Sequence, residues 1–172
     1  TTCSIIEKVL SDSGYNTVAV GNIGKPILNY NIGKKTNVVI VIEMSSFQLE
    51  YSKFVKPNHA ILTNITRDHL DWHGTMKNYI NSKFKIFLLQ NKKDYAYLPQ
   101  NNNIIKIFKK KNMEANIILN KVRIQNFIKK NISNTHLMSK SNLENISFIY
   151  DLKNNFKITN KSFFTSLNKF KG

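Results

Sequence analysis

The chain has 172 residues, 41% of them apolar, with 26 Lys and Arg against 10 Asp and Glu, a net charge of +16 and a single cysteine, Cys3. That length and apolar share suit a folded domain with a real core rather than a disordered tail. No apolar run approaches the ~20 residues that cross a bilayer, no basic-then-apolar leader opens the sequence, and one thiol excludes an internal disulfide framework. We therefore expect a cytoplasmic protein without a membrane segment. In chain order, Ile5, Ile6, Val9 and Leu10 give one apolar helical face, with Gly14 as a stop signal. Thr17 to Val20 reads as a short strand, followed by a tight Gly21-Asn22-Ile23-Gly24 turn, and Pro26 suits the first turn of a short helix. Asn37 to Ile42 is an unbroken apolar run after its first residue, as in a strand buried on both faces of a parallel sheet, and it ends in Glu43. A second such strand, Ala60 to Leu62, runs through Thr63-Asn64-Ile65-Thr66 into Asp68-His69.

Beyond that point Met76, Tyr79, Ile80, Phe84, Phe87 and Leu88 form a helical stripe, and Lys83 falls on it, where a charged group is costly to bury. Tyr95 to Leu98 and Ile104 to Phe108 read as edge strands; residues 112–134 are ambiguous. Ser141-Asn142-Leu143-Glu144 has capping-box spacing and predicts a helix to about Leu152, and a last helix runs from about Lys161 to Phe170. With no repeat and no linker, the expectation is one α/β domain with a mostly parallel sheet flanked by helices.

The excess of lysine raises a nucleic-acid hypothesis. The lysines, however, are scattered among asparagines and isoleucines, a combination that an AT-rich genome favours. The densest stretch, Lys106 with Lys109, Lys110 and Lys111, lacks the interleaved aromatics of a base-stacking platform. The acids are more telling, since Glu43, Glu50, Asp68 and Asp71 gather in one short stretch of a basic chain. Two core strands end in polar, ionisable residues, and ligands of open α/β sheets sit at the carboxyl ends of strands.

Three segments in this order carry a resemblance: Gly21-Asn22-Ile23-Gly24 with Pro26; Glu43-Met44-Ser45-Ser46-Phe47-Gln48-Leu49-Glu50; and Asn64 to Gly74 (NITRDHLDWHG) followed by Tyr79 and Lys83. Together they resemble the Mur ligase family. The Ser-Ser-Phe-Gln-Leu-Glu string points within it to the branch that adds D-glutamate to UDP-N-acetylmuramoyl-L-alanine. The resemblance is strong over residues 1–83 and faint thereafter. It implies a P-loop ATPase-like central domain of a peptidoglycan-synthesis ligase working through an acyl phosphate, with ATP and Mg2+ as cofactors. It further implies small-molecule substrates, no membrane or nucleic-acid partner, and a monomer.

By the same resemblance Glu43 is a magnesium ligand, or else a strand-end carboxylate capping a turn. Asn22, Ser45 and Ser46 contact the substrate, unless they serve only the turn and a helix cap. His69 stands near the second metal and the acyl phosphate; Asp68 and Asp71 either orient it or hold local structure. His73, four residues after His69, superficially suggests a zinc pair, but the His-Glu-x-x-His pattern is missing. Lys83, four residues after Tyr79, matches a lysine that becomes a carbamate and helps hold the second magnesium; the alternative is a stem packed on the stripe with its ammonium reaching water. Asn142 and Asn145 have the spacing of two asparagines near adenine, although Ser139 and Ser141 replace the family's glycine and histidine there. Thr1 and Thr2 resemble the start of the helix that follows the phosphate loop. The chain is thus expected to begin just after that loop, without the UDP-binding and C-terminal domains, and to be inactive by itself. A sister ligase of the same fold and a basic nucleic-acid-binding module are the rival readings.

Overall fold

The computed structural model describes residues 1–22, 24–30 and 37–172; the expected glycine turn falls partly outside them, at Ile23. The elements are α1 (Thr2–Asp12), β1 (Asn16–Gly21), β2 (Val38–Glu43), α2 (Ser46–Tyr51), β3 (His59–Ile61), α3 (Leu70–His73), α4 (Met76–Phe84), β4 (Tyr95–Leu98), α5 (Asn102–Lys110), β5 (Asn116–Leu119), α6 (Val122–Asn131), α7 (Lys140–Asn155) and α8 (Asn160–Asn168). Single 3-10 turns cover Ile27–Asn29, Lys85–Phe87 and Thr135–Leu137. The architecture is α/β, with parallel strands and helices flanking them. Among the described residues no helix is long and apolar enough to cross a membrane.

Where one domain was expected, the chain divides into two compact units: Thr1–Met44 with Val122–Gly172, and Ser45–Lys121. In the first unit β1 and β2 pair in parallel, with Asn16 opposite Val38 and Gly21 opposite Glu43. The predicted apolar face of α1 is its buried face, Ile5, Ile6, Val9 and Leu10. Ile146, Phe148 and Ile149 of α7, and Phe163 and Leu167 of α8, are buried in the same unit. The Tyr15 hydroxyl donates to the Phe156 carbonyl at 2.8 Å, closing the strand start against the end of α7. The apolar run of β2 is less enclosed than expected: only Val41 is fully buried and Ile42 is 39% exposed. β2 has β1 as its single strand partner among the described residues, and its two faces are unequally covered, with Val41 buried on one and Ile42 exposed on the other.

In the second unit β3, β4 and β5 form a parallel three-stranded sheet in that order. Tyr95–Leu98, expected at an edge, is the central strand, with Ala96, Tyr97 and Leu98 wholly buried. The expected strand over Ile104 to Phe108 is instead inside helix α5. Asn101 caps it by accepting from Asn103 N–H (2.9 Å) and Ile104 N–H (3.3 Å), and Lys109 and Lys110 sit in its last turn, where cations suit the helix dipole. Ile104 and Phe108, four residues apart, then face the core with Phe84, Phe87, Ala96 and Leu98.

Two further expectations shift. Helix α7 starts from Ser139, whose hydroxyl accepts from Asn142 N–H at 3.2 Å, rather than from Ser141, and it continues past Leu152 to Asn155. The 76–88 stripe is an α-helix to Phe84 and then a 3-10 turn. That tighter turn rotates Leu88 out to 60% exposure, while Ser82, which is not one of the apolar stripe residues, is buried at 4%.

Candidate active site

In the first unit Glu43 and Asn22 meet at the carboxyl end of the two-stranded sheet. Strand β2 delivers Glu43 there because its register with β1 sets Glu43 opposite Gly21. Asn22 N–H donates to the Glu43 carbonyl at 2.9 Å, and the Asn22 side-chain amide reaches the Glu43 carboxylate at 3.4 Å. Gly21 is required: its φ is +110°, and a Cβ there would stand 2.3 Å from the Glu43 carbonyl oxygen. The first turn of α1 lies at this end too. Burial pushes the Cys3 thiol up to about 11, with the nearby Glu43 carboxylate adding to the rise. Thr1 is the residue preceding α1, with its carbonyl accepting from Ile5 N–H at 3.0 Å, and Thr2 opens the helix. Asn142 and Asn145 are in the same unit on α7, and the Asn142 amide is bound locally, donating to the His136 carbonyl at 2.9 Å.

The second unit holds Ser45, Ser46, His69 and Lys83. Ser45 is occupied as a helix cap: its hydroxyl accepts from Gln48 N–H at 3.2 Å, and the Gln48 side chain accepts from Ser45 N–H at 2.8 Å. Ser46 is 5% exposed, with its hydroxyl 3.0 Å from His73 Nε2. His69 precedes α3 with a left-handed backbone, φ 53°, and its ring stays 44% exposed. The Asp68 carboxylate accepts the His69 backbone N–H at 2.9 Å and lies 3.3 Å from its Nε2. Asp68 thus contacts both the backbone and the ring of His69.

His69 and Lys83 come together on Tyr79. The His69 ring meets the Tyr79 ring edge-on at 6.2 Å, and Lys83 Nζ lies 4.8 Å from the Tyr79 centroid while donating to the Asn64 carbonyl at 3.1 Å. Lys83, on the predicted stripe, is half-buried, with a carbonyl and an aromatic face that suit a cation.

Sequence reading assigned no role to the residues that hold this region together. His73 is buried, with Nε2 on Ser46 and Nδ1 3.5 Å from the Glu50 carboxylate. Trp72 donates its indole N–H to the same Glu50 oxygen at 2.9 Å. The Phe47 ring packs on His69, Trp72 and His73 at 4.9, 5.4 and 5.6 Å. The available signal was the presence of Ser46, Phe47 and Glu50 in one motif and Trp72 and His73 in another.

The family model for the Mur ligase middle domain matches residues 1–162. The chain belongs to the Mur ligase family. Over 101 residues this middle domain is 43% identical to a UDP-N-acetylmuramoylalanine–D-glutamate ligase of Fervidobacterium nodosum, covering 58% of the chain and 24% of that protein. It is 40% identical over 105 residues to the ligase of the same name from Geobacter metallireducens, covering 61% and 23%. The ligase of that name from Natranaerobius thermophilus is 41% identical over 96 residues, 56% and 21%. The matched stretch thus spans about a quarter of the length of these relatives.

A magnesium ion can be tested against the donors present. The Glu43 carboxylate at a strand end is a hard oxygen donor of the type magnesium takes. Lys83 as an ammonium is no ligand, and fits only if converted to a carbamate. Among the described residues no group of three or more His, Cys, Asp or Glu side chains is gathered to hold a metal.

Proposed function

We propose that this middle domain serves an ATP-dependent ligase of peptidoglycan synthesis that joins D-glutamate to UDP-N-acetylmuramoyl-L-alanine. The observation that carries the reading is about 40% identity to ligases of that name over roughly 100 residues, in a chain that bears the Glu43, Ser-Ser-Phe-Gln-Leu-Glu and Asp-His-Leu-Asp elements. The substrate carboxylate would accept the terminal phosphoryl group of ATP with departure of ADP. The amine of D-glutamate would then attack the activated carbonyl and expel phosphate. Both steps crowd anions together, and bound magnesium would supply the neutralising charge.

In this reading Glu43 holds magnesium at the end of β2, with Asn22 beside it toward the substrate. Thr1 and Thr2 lie on the phosphate side at the start of α1, and Asn142 and Asn145 on the adenine side. His69 stands at the second metal, and Lys83, as a carbamate, completes that ligand set: its neutral amine would add carbon dioxide and lose a proton, turning a cation into a carboxylate-like donor. Ser45 borders the substrate, although its own hydrogen bonds are to a helix cap, whereas Ser46, the other serine of the motif, is buried against His73. The enzyme would act in the cytoplasm as a monomer.

The test uses the full-length enzyme. We expect Glu43→Ala to cost two or more decades in ligation rate, the scale of removing one electrostatic stabiliser. Lys83→Ala should lose most activity and regain part of it with added short carboxylic acids, whereas Lys83→Arg, which keeps its charge, should fail. A Lys83→Arg enzyme close to wild type overturns the carbamate, and normal ligation by Glu43→Ala at ordinary magnesium overturns the metal role.

A further inference from the structure

The backbone of His69 is unusual for its residue type. A left-handed φ of 53° costs a non-glycine residue about 1 kcal/mol or more and persists where the surroundings over-determine it. What over-determines it here is α3, a helix of a single turn. The His69 carbonyl accepts from both Trp72 N–H (3.3 Å) and His73 N–H (3.0 Å). Four residues of helix are far too few to be stable alone, so α3 must be held from outside, and the two residues that bind the His69 carbonyl are also the two whose side chains are tied to α2. Trp72 and His73 share the Glu50 carboxylate, and His73 also meets Ser46.

The chemistry of the His73 ring fixes the direction of this brace. Nδ1 is buried without a hydrogen-bond partner, and among the described residues the charged group beside it is the Glu50 carboxylate at 3.5 Å. A nitrogen lone pair beside a carboxylate is repulsive, so the proton belongs on Nδ1, where its attraction to Glu50 is electrostatic. Nε2 is then the acceptor, and the Ser46 hydroxyl donates to it. The order Ser–His–carboxylate is that of a nucleophilic triad, but a Ser46 exposed by only 5% is poorly placed to attack a substrate.

We propose that Ser46, Glu50 and His73 are positioning residues for His69. On this view the string Ser46-Phe47-Gln48-Leu49-Glu50 acts on the reaction through α3, by holding the His69 ring in register beside Tyr79, and not by touching the substrate. The inference rests on the ligase reading for what His69 does, and on geometry alone for how His69 is held.

Two measurements on the full-length protein test it. In kinetics, Ser46→Ala and His73→Asn should lower kcat about tenfold to a hundredfold with KM for each substrate unchanged, the size typical of losing a residue that orients a ligand. Glu50→Gln, which still accepts from Trp72, should keep most of the rate that Glu50→Ala loses. A Ser46→Ala enzyme with raised KM and normal kcat overturns the proposal, because Ser46 would then be contacting substrate. The second measurement is independent of ligation: nitrogen-15 spectra of the histidine rings, assigned by loss of signals in His73→Asn and His69→Gln. We expect His73 to carry its proton on Nδ1, and the His69 ring signals to move in Ser46→Ala but not in Glu50→Gln. A His73 proton on Nε2, or His69 signals indifferent to Ser46→Ala, overturns the brace. A wild-type enzyme without ligase activity overturns the functional reading instead, and the spectra then decide the brace alone.

Discussion

In the proposed reading Glu43 holds magnesium, and its surroundings can be probed through Cys3. A thiol pushed up to about 11 has only about 0.1% thiolate at pH 8, and the thiolate is the reactive form. Alkylation of Cys3 should therefore be slow at pH 8 and accelerate roughly in step with hydroxide until the pH approaches 11. Burial and the Glu43 carboxylate both disfavour the thiolate, so Glu43→Gln should lower the thiol's pKa and speed alkylation at pH 8. An unchanged rate in that variant would show that Glu43 does not face the first turn of α1. Residue types and order made Glu43, His69 and Lys83 legible as candidates. The left-handed backbone of His69 and the burial of His73 had no sequence signal, because both arise from contacts between α2 and α3.

At the scale of elements, the contrast between α5 and β4 is instructive. Ile104 to Phe108 is rich in β-branched residues and reads as a strand, yet it is helical. The deciding features lie just outside the run: Asn101 caps one end, and Lys109 and Lys110 suit the dipole at the other. Replacing Asn101 by Ala should destabilise the protein by about 1 kcal/mol, measured by urea unfolding. A loss near zero would mean that packing of Ile104 and Phe108 alone holds the helix. β4 was legible as a strand but not as the central one. Strand order depends on which neighbours β3 and β5 become, and residues 112–134, which supply β5 and α6, carry no clear period of their own.

At the scale of the whole molecule, a net charge of +16 still has to be accounted for. Lys109, Lys110 and Lys111 are exposed at the end of α5, without aromatic rings interleaved among them. Scattered charge of this kind should give non-specific retention on nucleic acid that falls by a factor of about 10³ or more between 50 and 200 mM salt, without sequence preference. Binding that survives 200 mM salt with base preference would favour the nucleic-acid module over the ligase.

The sequence by itself determined the family, the α/β class, the apolar face of α1 and the placement of Glu43 at a strand end. The family follows from the resemblance that three motifs carry in order, and the rest from residue order and periodicity within single segments. Only the tertiary structure decided that the described chain forms two compact units, that β4 is central, and that Ser46, Glu50 and His73 join α2 to α3. The physical reason is common to these cases. A buried contact or a strand pairing joins residues far apart in the chain, 27 positions between Ser46 and His73 and 36 between His59 and Tyr95, and no local pattern encodes which distant partner a group will find.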